Sequence, residues 1–526
     1  MALTREAQIK SDYDQNKQKL TKKQKFAKFY SGFFKNMSSI RQILLWYIII
    51  SLTGALILWL PISHTETFKK MGDVSFIDAL FVSSSAFSDT GLSTISISGT
   101  FNFIGQLTTL ILLSIGGVGW FTTKIFILQY ILRRKTSYKT ISDAASEVGT
   151  SRKNETLGLI FSAVIISSIA TVLFGFIFSF IFYSTDAIGW DEAGKITKLD
   201  LGLKGNYGAS LWTGLYHASA SVNNSGLDIF AGDKSLGVYY QGANAIAIQV
   251  LTIFLFVIGG IGFGVFYDVI QWIKFRTVGK KFTFSLITKI SVVTYLIVAV
   301  SGLVMAYAFE GIYHAAPVDS FIDAQVNSGS TVAAAWWSIT FNTFSTRNAG
   351  FSTVNIVQMS NATKTLYSVM MFIGSGPGST AGGLRTTTVA VLIIAAISDM
   401  KGRKNYQVMN RNIPKKIVKE AFTIFVASLV IIAIWSVAIG VTEALKNTST
   451  DYKGIWLIDD LFVVFSAYGT TGLSTVDIST YNWFSKLLLI ILMFLGQMGM
   501  STTLSQFRTR TIKHQREFIE EPINLG

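Results

Sequence analysis

Eight apolar stretches divide the chain, and each approaches or exceeds the roughly 20 residues a helix needs to cross the hydrocarbon core of a bilayer. They cover 43–60, 103–132, 157–182, 245–273, 290–308, 366–397, 421–441 and 487–504. Half of the 526 residues are hydrophobic and only 14% are charged, so a polytopic, all-α membrane protein is expected. The first forty residues are polar and basic, with no apolar centre and no small-residue cleavage site, so they do not read as a signal peptide. The first span is then expected to stay in the membrane.

A net charge of +15 raises the question of nucleic acid, but the basic residues are gathered in five places. These are 10–41, 133–139 with 152–153, 274–281, 401–419 and 508–516, which are alternate connections between spans. That is the positive-inside pattern of a multi-pass plasma-membrane protein with both termini in the cytoplasm, and nucleic-acid binding is not expected. The absence of cysteine excludes disulfides and thiolate chemistry. His64, His217, His314 and His514 lack metal-ligand spacing and read as loop or helix-edge residues.

Two strings repeat: "FIDALFVSSSAFSDTGLST" (76–94) and "LIDDLFVVFSAYGTTGLST" (457–475). Each is a short apolar helix followed by a polar loop, too short to cross a bilayer but suited to a re-entrant segment. Asp78 and Asp459 stand near the helix starts, where a carboxylate favours the positive end of the helix dipole. Two weaker copies, "LYHASASVNNSGLDIF" (215–230) and "FNTFSTRNAGFSTVNI" (341–356), fill the middle of the chain. The central glycines Gly91, Gly226, Gly350 and Gly472 recur at a period of roughly 120 to 135 residues, which indicates duplicated units.

Each unit is expected to be helix, pore helix with loop, helix. The units run over 42–134, 155–273, 286–400 and 418–507, between a basic tail (1–41) and a C-terminal tail (508–526). Non-helical backbone at membrane depth is tolerated only inside protein or along a wet cavity. Four such loops around one axis make a pore lining. Glycine lets carbonyl oxygens turn to the axis, where they replace the water shell of a monovalent cation, and the helix dipoles add negative ends aimed inward.

These loops, with "GSGPGSTAGGLRTTT" (374–388), carry a resemblance to the Trk/Ktr/HKT superfamily of potassium transporters, most of all to its KtrB-type subunit. It extends from the first span to about Gln506. The resemblance implies four fused helix–pore helix–helix units with pseudo-fourfold symmetry around a central K+ pore. Carried over by position, the filter is Asp89, Thr90, Gly91, Asn224, Ser225, Gly226, Asn348, Ala349, Gly350, Thr470, Thr471 and Gly472, with K+ held by backbone carbonyls only. One glycine per loop implies loose discrimination of K+ from Na+.

The run 374–383 is too rich in glycine, with a proline, for a helix interior, and it lacks the Gly-Lys-Ser/Thr ending of a phosphate-binding loop. The resemblance makes it an intramembrane gate built on Gly374, Gly376, Gly378, Gly382 and Gly383. Arg347 is expected to brace the third loop from behind, since a cation facing the pore would repel K+. For Asp89 two roles stand open, concentrating cations at the mouth or hydrogen-bonding behind the filter. The glycine clusters 116–119 and 259–264 read as close helix packing. Where the family usually has an arginine in the last span, this chain has Gln497, a neutral amide that removes a positive barrier.

The resemblance also implies a homodimer in membrane lipid on a cytoplasmic, nucleotide-binding KtrA-like ring, with Na+ as an activating or coupled ion. Two other classes compare poorly. An organic-solute transporter would favour inverted repeats, whereas these run parallel. A membrane enzyme needs converging carboxylates, histidines or metal ligands, and none converge. A Na+ or weakly selective cation pathway stays open.

Overall fold

The computed structural model describes residues 39–507 apart from 72–73, 128, 130–140, 142–155, 192, 231–234, 243, 317–319 and 447–456. Residues 1–38 of the N-terminal tail, the C-terminal tail 508–526 and the basic clusters 133–139 and 152–153 lie outside the described residues, as does His514, while 39–41 already belong to the first helix.

Four long helices are intact: α1 (Ser39–Trp59), α5 (Thr156–Ser184), α9 (Leu286–Ala315) and α13 (Lys415–Lys446). Each is the first helix of its unit and meets the length and hydropathy of a membrane span. Their outward faces keep apolar side chains exposed at helical spacing. On α1 these are Leu44, Ile48, Leu52 and Leu56, and on α13 they include Phe422, Val426, Val430 and Ile434. In water such stripes would be a large exposed apolar surface; in a bilayer they are the lipid face. Beside hydrophobic clusters, the interior also holds many polar side chains, Ser83, Ser84, Asn223, Asn224, Asn342, Thr343, Ser466 and Thr470 among them.

A short helix follows in every unit: α2 (Phe76–Phe87), α6 (Tyr207–Val222), α10 (Val332–Ser345) and α14 (Leu457–Gly469). Ser75, Asn206 and Thr331 cap the first three, their side-chain oxygens accepting the amides of Asp78, Ala209 and Ala334.

The closing spans depart from expectation. Three stretches read as continuous, 103–132, 245–273 and 487–504, are each broken at a glycine of positive φ. The pieces are α3 (Phe103–Val118) and α4 (Trp120–Phe126), α7 (Ala245–Ile261) and α8 (Phe263–Thr277), and α15 (Trp483–Met498) and α16 (Met500–Phe507). The breaks fall at Gly119 (φ 95°), Gly262 (105°) and Gly499 (79°), conformations that L-residues with a Cβ rarely adopt. In the third unit α11 (Asn361–Phe372) and α12 (Thr386–Met400) flank the glycine-rich run. Every second span is therefore interrupted at a corresponding level.

Two small antiparallel hairpins, Ala187–Trp190 with Ile196–Leu199 and Tyr406–Val408 with Arg411–Ile413, decorate the connections. His217 is not at a helix edge. It lies inside α6, buried among Phe178, Phe230 and Phe351, with Nε2 2.9 Å from Thr252 Oγ1.

Candidate ion-conduction site

All four short helices end in one backbone pattern. One to three residues past each helix end, Asp89, Asn224, Asn348 or Thr470 has φ of 47°, 57°, 67° or 50°. The glycine two places on, Gly91, Gly226, Gly350 or Gly472, is again positive at 86°, 63°, 80° or 95°. Thr90, Ser225, Ala349 and Thr471 lie between two left-handed residues. In units 1, 2 and 4 the amide of this middle residue donates to the carbonyl five residues back (2.9, 2.9 and 2.8 Å), the hydrogen bond of a Schellman helix cap.

The four loops close into a ring. A methyl group on Gly91 would collide with the Ser225 carbonyl oxygen, one on Gly350 with that of Thr471, and one on Gly472 with that of Thr90. One on Gly226 would come 2.9 Å from the Ala349 oxygen. Each glycine thus faces the carbonyl of the next loop in the order 1, 2, 3, 4 and back to 1. Here glycine is required twice over, by its φ and by close approach.

Behind the ring runs 374–383. Its neck is a parallel bridge between Ile373 and Leu384, and its amides reach two neighbouring spans. Gly376 N donates to Gly260 O (2.9 Å), and Gly383 N donates to Gly496 O (3.2 Å). Gly378 O accepts from Phe263 N (2.8 Å). Three of the four left-handed residues touch this run: Asn224 Oδ1 accepts from Thr380 Oγ1 (3.3 Å), Asn348 Oδ1 from Ser375 Oγ (3.4 Å), and Thr470 Oγ1 from Gly382 N (2.7 Å). Gly374 is a crossing point, because a methyl there would strike the Gly382 carbonyl.

Arg347 is wholly buried and donates to Met370 O (2.9 Å), Ile373 O and Gly374 O (2.7 Å), with its guanidinium 4.9 Å from the centre of the Tyr295 ring. Asp89 is also wholly buried, with Oδ2 beside Gly116, and among the described residues no group donates to either of its carboxylate oxygens. Gln497 Nε2 donates to Thr380 O (3.1 Å) and is 3.5 Å from Gly116 O.

Comparison with known proteins decides the family. The family described as TrkH, cation transport protein, matches residues 48–520. An uncharacterized cation transporter of Mycoplasma genitalium, MG322, is 30% identical, covering 92% of this chain and 97% of its own. The Ktr system potassium uptake protein B of Bacillus subtilis is 29% identical over 86% of this chain and 89% of its own. The crystal structure of the potassium transporter TrkH from Vibrio parahaemolyticus superposes with a TM-score of 0.62 at 16% identity, covering 89% of this chain and 84% of that one.

The chain belongs to the TrkH family.

Three features of this TrkH-family chain escaped the sequence reading. The first is Arg385, whose guanidinium binds Gly376 O (3.4 Å), Ser379 Oγ (3.2 Å) and Ala381 O, and reaches Gln497 O (3.2 Å). One arginine therefore ties the glycine-rich run to the last span. The second is the set of span breaks, whose signal is Gly-x-x-Gly at 116/119, 259/262 and 496/499. The first glycine of each pair admits a carbonyl from the end of the short helix: Phe87, Val222 or Tyr468.

The third is a clamp between units. Ten residues before the first of these glycines, or before Gly374 in unit 3, stand Gln106, Gln249, Lys364 and Lys486. Each grips the start of the next unit's short helix. Trp212 Nε1 donates to Gln106 Oε1 (2.8 Å) and Trp337 Nε1 to Gln249 Oε1 (2.7 Å). Lys364 pairs with Asp459 (3.8 Å) and Lys486 with Asp78 (2.8 Å). So the two aspartates expected to serve only the helix dipole also hold neighbouring units together.

Proposed function

We propose that the protein carries K+ into the cell through the ring of four loops, dehydrating the ion against the carbonyls of Thr90–Gly91, Ser225–Gly226, Ala349–Gly350 and Thr471–Gly472. The observation that carries this reading is the closed ring, with left-handed backbone repeated at the same two positions in every loop. Alternating the sign of φ turns successive peptide planes to one side, so a small ion meets oxygens from four directions. The name of the Bacillus subtilis relative, a potassium uptake protein, supports K+ as the cargo.

In the same reading, 374–383 is the gate on the cytoplasmic side, with Arg385 and Gln497 as its latch. Its hydrogen bonds to Asn224, Asn348 and Thr470 mean that movement of the gate and the fit of the ring are not independent. Basic connections face the cytoplasm. The Ktr-system name of that relative supports assembly with further components; a homodimer, a nucleotide-binding ring and activation by Na+ belong to this proposal.

Rb+ uptake into proteoliposomes of the purified protein tests it. Uptake that survives excess Na+, and a Gly472→Ser variant with altered selectivity, are expected. Equal Na+ flux would reduce the reading to a general cation pathway. Gln497→Arg, which restores a positive charge at the latch, is expected to lower flux, and unchanged flux there would remove Gln497 from the gate.

A further inference from the structure

The break in the second span of unit 2 is a sharp corner: α7 and α8 meet at 93°. With α7 crossing the bilayer beside the pore, α8 runs along the membrane plane. Only Phe263 and Asp268 of α8 are buried. Phe266, Val269, Ile270 and Ile273 fall on one face at helical spacing, and Ile270 and Ile273 are 40% and 51% exposed. Lys274 and Arg276 flank that stripe in the last turn, and Lys280 and Lys281 follow it. All four are exposed, and none makes an ion pair among the described residues. The guanidinium of Arg276 lies 5.4 Å from the Trp272 ring centre.

The remaining side of α8 is fixed to the protein. Asp268 Oδ2 accepts from Ser285 N (3.0 Å) and Thr288 Oγ1 (2.6 Å) at the start of α9. Tyr267 covers Gly158 of α5 so closely that a methyl group there would lie 2.6 Å from the ring. The N-terminal end meets the glycine-rich run: Phe263 N donates to Gly378 O, and a methyl on Gly262 would lie 2.7 Å from Pro377 O.

We infer that α8 is an in-plane helix seated on anionic phospholipid of the inner leaflet, whose phosphates are held by Lys274, Arg276, Lys280 and Lys281, and that this seat biases the run 374–383. The orientation and the gating role rest on the function proposed above. An apolar stripe bordered by basic residues is the pattern of an interfacial helix, and headgroup charge adds to its hold. An acidic soluble protein would neutralise the lysines yet leave Ile270 and Ile273 in water, so lipid fits both halves of the surface. The coupling is short, because α8 begins at the residue that hydrogen-bonds Gly378.

Two measurements test this on the full chain, which has no cysteine to remove. A bimane label at Ile273→Cys, in phosphatidylcholine vesicles, is expected to be quenched by brominated acyl chains. Quenching by aqueous iodide instead would mark a surface for a soluble partner and overturn the lipid seat, whether or not the protein transports K+. Rb+ uptake is then compared between phosphatidylcholine vesicles and vesicles holding about one third phosphatidylglycerol. The two are expected to differ on the order of fivefold, the ordinary size of coupling between two sites. The variant K274Q/R276Q/K280Q/K281Q is expected to lose that difference while keeping its flux in neutral lipid. An equal lipid response in variant and parent would overturn the headgroup site, and no response in the parent would overturn the coupling. Absence of flux in every vesicle would overturn the proposed function instead, with quenching still deciding the seat.

Discussion

Thr470 is the least comfortable of the four residues that begin the loops, because a β-branched side chain sits at φ 50°. A left-handed backbone costs an ordinary L-residue about 1–2 kcal/mol, and asparagine, found at 224 and 348, tolerates it better. The compensation is Thr470 Oγ1, which accepts the Gly382 amide at 2.7 Å and so links the ring to the run 374–383. Thr470→Asn is expected to hold or raise the melting temperature and keep the flux, since an amide oxygen can take the same bond, as Asn224 does from Thr380. Thr470→Val keeps the shape and strain but leaves Gly382 N–H unpaired, a loss of about 1–3 kcal/mol. Its melting temperature should fall and its Rb+ flux rise; flux equal to the parent's would separate this residue from gating. The unusual backbone at the four glycines was legible, but the left-handed residues two places before them and their side-chain bonds to 374–383 were not. They join residues as many as 156 positions apart, and nothing local encodes the pairing.

Among elements, the intact first helices were readable to within seven residues at either end, because a continuous apolar run and a continuous helix nearly coincide at that length. The broken second spans were not, because a glycine in left-handed conformation leaves hydropathy unchanged. What betrayed the break was position, one Gly-x-x-Gly at the same place in units 1, 2 and 4. Gly262→Ala tests whether the corner is imposed by this residue. Alanine is unsuited to φ 105° and would press on Pro377 O at 2.7 Å, so a loss of at least about 1 kcal/mol and a disturbed gate are expected. Gly264→Ala is the control: nothing lies within 4 Å of the added methyl, and inside a helix it should stabilise by about 0.5–1 kcal/mol. Equal melting temperatures for the two variants would show that the corner does not depend on Gly262.

Over the whole molecule, one chain imitates a four-subunit ring, and the four clamps share one sense, each unit gripping the next. The grips differ in chemistry, two amide–indole bonds and two ion pairs, and sequence offered only a hint in Lys364 and Lys486, basic residues away from the cytoplasmic clusters. Lys486 is 7% exposed and its partner Asp78 19%. Lys486→Met would strand a carboxylate in a mostly dry site and is expected to cost on the order of 3 kcal/mol. Lys364→Met, at a pair 3.8 Å long, should cost less, and Asp78→Asn added to Lys486→Met should recover much of the loss. Thermal melting of the three variants checks the ranking, and no change for Lys486→Met would mean that the ring is held elsewhere. The closing contact joins residues 408 positions apart, so it can form only after nearly the entire chain has left the ribosome. Until then the first loop has no neighbour on one side and Asp78 has no counter-charge. On the proposed function, an unfinished chain already in the bilayer has an incomplete ring of loops, and so no finished filter through which the membrane potential could discharge.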